Sequence, residues 1–221
     1  MLSQKTLQFL YDLKQNNNRE WFKQNIDRYE SAKTDYLEFA QELLVRMKAI
    51  DVSLVNLNPK DCIFRIYRDM RFSQDKTPYK THLGIVFSKD RKKSQTAAYY
   101  IHIEESGSFI AGGVHNPPPE TLKKIRLEIS NFYDDFTHII KNNEFKTRFT
   151  DLYRDKNILL KRPPQGFYED NKAIEYIKLK SFEVVKEFDT SYTTTKKGVD
   201  FIVENLTYIK PLNDFLNRAF D

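Results

Sequence analysis

Apolar residues recur at helical spacing in four long stretches of the chain, and five shorter stretches read as strands. Leu7, Leu10 and Leu13, with Phe9 and Tyr11 beside them, follow Ser3 and predict a first helix capped by that serine. Asn16-Asn17-Asn18 ends it. Asn17 with Glu20 three residues later has the form of a capping box. It opens a second helix whose stripe runs through Phe22, Ile26, Tyr29, Tyr36, Ala40, Leu43 and Met47. Asn58-Pro59 marks a turn, and Cys62 to Arg68 then reads as a strand. On it Cys62, Phe64, Ile66 and Arg68 share one face, and Ile63, Arg65 and Tyr67 the other. Leu83 to Ser88 is a second strand. Thr96 to Glu104 and Ser108 to Gly113 form a hairpin about Glu105-Ser106-Gly107.

Beyond a connector from Gly112 to Pro119, a helix carries Leu122, Ile125, Ile129, Phe132, Phe136 and Ile139, with Pro119 in its first turn. The pattern from Lys141 to Gln165 is mixed and ends in the stiff Lys161-Arg162-Pro163-Pro164. Asn171 to Lys178 predicts a short helix and Ser181 to Phe188 a strand. A last helix carries Phe201, Ile202, Leu206 and Ile209, and Pro211 kinks or restarts it before Leu212, Phe215, Leu216 and Phe220. The elements come in blocks without internal repeat or linker. They predict an α+β fold, a mainly antiparallel sheet packed against several helices, with residues 1–221 as one domain.

Composition supports a packed core, with 40% hydrophobic residues and 14% aromatics. Cys62 is the single cysteine, so no intramolecular disulfide forms. No stretch has the length of a transmembrane helix, and the N-terminus lacks the apolar run of a signal peptide. A cytoplasmic protein without a membrane partner is the expectation. The net charge of +5 is mild, but its distribution is uneven. From Arg65 to Lys93 nine basic residues stand against Asp69, Asp75 and Asp90, a local balance of +6 that leaves the remainder near neutral.

Five segments, in this order, resemble an uncharacterised family known as domain of unknown function twenty-four sixty-one. They are Asn17-Asn18-Arg19-Glu20-Trp21-Phe22, the run FRIYRDMRFSQDKTPYKTHLG from Phe64 to Gly84, Gly107 to Gly113, Leu160-Lys161-Arg162-Pro163-Pro164, and Lys210 to Leu216. The resemblance covers nearly the whole chain. It implies a full-length single-domain protein of bacterial or fungal type, and it brings no activity or catalytic residues with it.

The candidate chemistry is therefore read from the residues themselves. Arg65, Arg68 and Arg71 recur every three residues around a strand end, and Lys76, Tyr79, Lys80 and His82 follow in a loop. The planar fork of arginine matches phosphate or carboxylate. If the chain turns after Arg68, this set encloses a phosphorylated or carboxylated small molecule. Tyr79 and His82 then orient it or move a proton, and Lys161 and Arg162, with Lys178 and Lys180, add a second basic wall. Taken singly, each cation reads first as a structural tie, to Asp69, Asp75 or backbone carbonyls, and only second as a ligand contact. The polymeric version of the same idea is RNA or DNA binding. Phe64, Tyr67, Phe72 and Tyr79 interleave with the cations, and Lys89 to Lys93 form a basic hairpin tip. Phe64 and Phe72 read first as ordinary core residues.

Other chemistries find less support. His102 and Glu104 share a strand face, but no second pair of the four histidines and one cysteine has metal-ligand spacing, so no metal site is expected. The chain has no Gly-x-Ser-x-Gly turn and no Gly-rich phosphate loop. Cys62 reads as an inert buried thiol. The residues alone assign no reaction, cofactor or oligomeric state.

Overall fold

The computed structural model describes residues 1–71, 73–90 and 95–220. The fold is α+β, as the element blocks predict. Its four strands are β1 (Leu83–Phe87), β2 (Ala98–Ile103), β3 (Phe109–Val114) and β4 (Phe182–Glu187). They form an antiparallel sheet in chain order, β1-β2-β3-β4. The chain makes two compact units. The first contains Met1–Phe87, Tyr100–Ile110 and Glu187–Glu204, and the second Ser88–Tyr99, Ala111–Lys186 and Asn205–Asp221.

In the first unit, helix α1 (Gln4–Gln15) starts as expected, with the Ser3 hydroxyl accepting from the Thr6 amide. It buries Phe9, Leu10 and Leu13 but leaves Tyr11 exposed. The second predicted helix is two. Helix α2 (Arg19–Gln24) ends at Asn25, whose amide donates to the Trp21 and Phe22 carbonyls, and α3 (Ile26–Ile50) begins directly after it. This break turns Ile26 out of the apolar stripe, and it is exposed. Tyr36, Phe39, Ala40, Leu43, Leu44 and Met47 are all buried along α3. The cap of α2 is also one residue later than the capping box predicts. The Asn18 side chain, not that of Asn17, accepts from the Trp21 amide, at 2.9 Å. An asparagine cap satisfies an amide that the first helical turn otherwise leaves unpaired. Asn18→Ala is therefore expected to lower stability by about 1 kcal/mol. Urea unfolding with an unchanged m-value checks this.

The predicted strand at Cys62 to Arg68 is not a strand of the sheet. Asn58 caps and Pro59 opens a one-turn helix, α4 (Pro59–Cys62), because proline at a first helical position loses no hydrogen bond. Cys62 ends that helix as a buried thiol bonded to the Asn58 carbonyl. The chain beyond it is extended but pairs only through isolated bridges.

In the second unit, the helix predicted through Ile139 is again two, α5 (Pro119–Asn131) and α6 (Tyr133–Ile140). The break falls at Phe132, which is exposed beneath the Arg218 guanidinium, 4.6 Å from its ring centre. Helix α7 (Asn143–Phe149), capped by Asn142, lies in the mixed stretch, and α8 (Ile174–Ile177) is the predicted short helix. The last helix, α9 (Lys196–Asn217), runs from the first unit into the second and continues through Pro211. Gly112 and Gly113 belong to β3 rather than to a turn. Gly113 has φ +120°, and a Cβ there would stand 2.0 Å from the Phe182 carbonyl oxygen of β4. No described helix is long and apolar enough to cross a membrane.

Candidate functional site

The basic segment lies in the first unit as two extended arms joined by a loop. The Phe64 amide donates to the Gly84 carbonyl, the Lys80 amide to Ile66 and the Arg68 amide to Pro78, at 3.2, 2.7 and 3.0 Å. The chain does turn after Arg68, and the tip includes residues 69–71 and 73–77. Two anchors hold the returning arm. The Asn17 amide group clamps the Tyr79 backbone, accepting from its N–H at 3.1 Å and donating to its carbonyl at 2.9 Å. The Tyr79 ring is buried and stacks on Phe22, with centroids 4.0 Å apart and planes 13° apart. An aromatic pair of this kind fixes both position and orientation.

At the tip, Arg65, Arg68, Arg71 and Lys76 line an open concavity of about 560 Å³ together with Asp69 and Met70. Three of these cations are already tied to the loop. Arg68 contacts Asp75 and Thr77 through the same nitrogen. Arg71 grips Asp69 with two parallel bonds, from Nε at 3.0 Å and Nη2 at 2.6 Å. Lys76 donates to the Met70 carbonyl at 3.1 Å. The Arg71 bonds push the Asp69 carboxyl down to about 2, and the Arg68 bond with the Thr77 amide and hydroxyl does the same for Asp75. Both carboxylates therefore stay ionised in all but strong acid, and any incoming anion meets them as competitors. Arg65 differs, for it is exposed and makes no hydrogen bond or ion pair among the described residues.

The remaining sequence candidates are not among the residues of this lining. Lys80 places its ammonium 5.2 Å from the Phe64 ring centre. Lys161 and Arg162 are exposed residues of the second unit. In the same unit Lys178 is paired with Glu169. Of the interleaved aromatics, Tyr67 is exposed and Phe64 half-buried, while Phe72 lies outside the described residues. The basic tip is exposed at Lys89, and Arg91, Lys92 and Lys93 also lie outside them.

His82 enters a second cluster. Its ring stacks on His102 at 4.3 Å, and His102 stacks in turn on Phe109 at 4.7 Å with planes 10° apart. His102 Nε2 lies 3.7 Å from a Glu104 carboxylate oxygen, and its Nδ1 lies 3.1 Å from the Tyr100 hydroxyl. Gly84 makes room for that hydroxyl, since a Cβ there would approach it to 2.8 Å. Burial, with smaller effects from His102, Lys80 and Arg68, pushes the His82 imidazole down to about 4. Burial also lowers His102, against the pull of Glu104. Both rings are thus neutral at physiological pH. His102 lies on β2 and Glu104 directly follows the end of that strand, so the predicted pair does meet, though Glu104 is outside the strand. That His82 joins them depends on strand pairing, which leaves no local signal in the sequence.

A family model described as conserved hypothetical protein (DUF2461) matches residues 5–215. No curated protein and no solved structure matches the chain.

Proposed function

Because the chain belongs to the DUF2461 family, whose description carries no activity, we infer its function from its own residues and propose that the concavity at the tip of the basic loop binds a small phosphorylated or carboxylated molecule. The observation that carries this reading is the composition of the lining, four cationic side chains against the single carboxylate of Asp69. Arg65 makes the first contact, because its guanidinium, although it acts on the nearby Asp69 electrostatically, has no bonded carboxylate to release. Arg68 is held in place by Asp75 and presents a fixed charge rather than a searching one. A ligand with several oxygens then draws Arg71 from Asp69, and the cost of that exchange limits affinity and favours polyvalent anions.

Thermal shift of the purified full chain tests the reading. The panel is nucleotides, sugar phosphates, polyphosphate, dicarboxylates and short RNA, each at low and high salt. One class of small anion is expected to raise the melting temperature, as ligand at a hundred times its Kd stabilises by about 2.7 kcal/mol. Arg65→Ala is expected to weaken that ligand roughly 10- to 100-fold, the range for a charged hydrogen bond. A rise with RNA alone, erased by salt, replaces the small molecule with a polymer. No rise with any anion overturns the reading.

A further inference from the structure

We propose that His82, His102 and Glu104 form a binding site for a divalent transition-metal ion, with zinc as the best fit. The inference rests on a different cluster from the anion concavity and stands without it. Two imidazoles and one carboxylate offer ligand atoms that all lie within 4.8 Å of one another. Imidazole and carboxylate suit zinc, whose bonds to these donors are about 2.0–2.2 Å long. Ligands around a tetrahedral ion of that size stand roughly 3.4 Å apart. His102 Nε2 and the Glu104 carboxylate, at 3.7 Å, are nearly there already. His82, whose ligand atom lies within 4.8 Å of the other two, has to close in by at most about 1.4 Å on this geometry.

The surroundings favour a metal over a simple ion pair. Metal-bound histidine characteristically holds its second ring nitrogen in a hydrogen bond, which sets the tautomer and the ring orientation. The Tyr100 hydroxyl occupies that position at His102 Nδ1, leaving Nε2 to face Glu104 and the ion. The Phe109 face supports the same ring from behind. Three protein ligands leave a fourth position for water, the arrangement of zinc sites that remain open. Lys80 and Arg68 act on His82 electrostatically, and they oppose a bare dication that the single charge of Glu104 only half neutralises. An ion held here is therefore of moderate affinity rather than permanently locked.

The full chain, stripped with a chelator and dialysed, is titrated with Co²⁺ followed by its visible absorption, and with Zn²⁺ by calorimetry. One equivalent is expected to bind saturably and to raise the melting temperature. Tyr100→Phe is expected to weaken binding roughly 10- to 100-fold, the range for a supporting hydrogen bond at a metal ligand. His82→Gln and Glu104→Gln are expected to lose more than that. His115→Gln, an exposed histidine of the second unit paired with Glu183, leaves binding unchanged. Circular dichroism of each metal-free variant checks the fold, and Tyr100→Phe carries the test if a ligand variant fails to fold. Absence of saturable binding overturns the proposal, as does binding that survives both ligand substitutions or that falls equally with His115→Gln.

Discussion

Gly113→Ala is expected to destabilise the protein by more than about 4 kcal/mol, the range in which single substitutions become exceptional. Two causes act together. At φ +120° an L side chain is strained, which alone costs on the order of 1–3 kcal/mol. The added methyl would also stand 2.0 Å from the Phe182 carbonyl oxygen and 2.8 Å from the Glu183 Cα. Both are backbone atoms of β4, so no rotamer change relieves the clash and the strand itself must move. Denaturant unfolding of the variant is expected to show a large fall in midpoint, or no cooperative transition at all. A loss below about 1 kcal/mol, the typical effect of a point mutation, would mean that this glycine does not set the spacing of β3 and β4.

Phe22→Ala comes next, at roughly 3–5 kcal/mol. Phe22 is buried on α2, and its ring meets four others, those of Phe9, Tyr29, Tyr67 and Tyr79. Removing it opens a cavity that rigid aromatic neighbours cannot fill. It also frees the Tyr79 ring, one of the two anchors of the basic loop. The variant is therefore expected to lose both stability and anion affinity, read by unfolding and by calorimetry at a temperature where it remains folded. Phe22→Leu keeps bulk without stacking and is expected to fall between. Full stability in Phe22→Ala would place the support of the loop on the Asn17 clamp instead.

Most of the fold is legible where a pattern is local. The Ser3 cap, the four strands of the sheet and the helix opened by Pro119 all follow from side-chain chemistry within a few residues. Helix breaks at Asn25 and Phe132 are not, because apolar spacing carries across a one-residue interruption and hides it. The stretch from Ile63 to Arg68 has the alternation of a strand, but only isolated bridges pair it. At the candidate sites, the clustering of Arg65, Arg68, Arg71 and Lys76 is visible because one short stretch of chain, an arm and the loop after it, holds them. Tyr79 has the residue type of a ligand contact, yet its ring serves packing against Phe22. The meeting of His82 with His102 is invisible at twenty residues' separation, since only the pairing of the chain brings them together.

The way the two units share the chain bears on how the protein is made. Each unit draws on three separated segments, and the first is complete only when Glu187–Glu204 is present. Folding one domain after another during synthesis, the common route for larger proteins, is therefore closed to this chain. The nascent N-terminal half waits with an unfinished sheet until nearly the last helix has left the ribosome. No single cleavage releases either unit intact, so a truncated fragment from either end is expected to depend on chaperones or to be degraded.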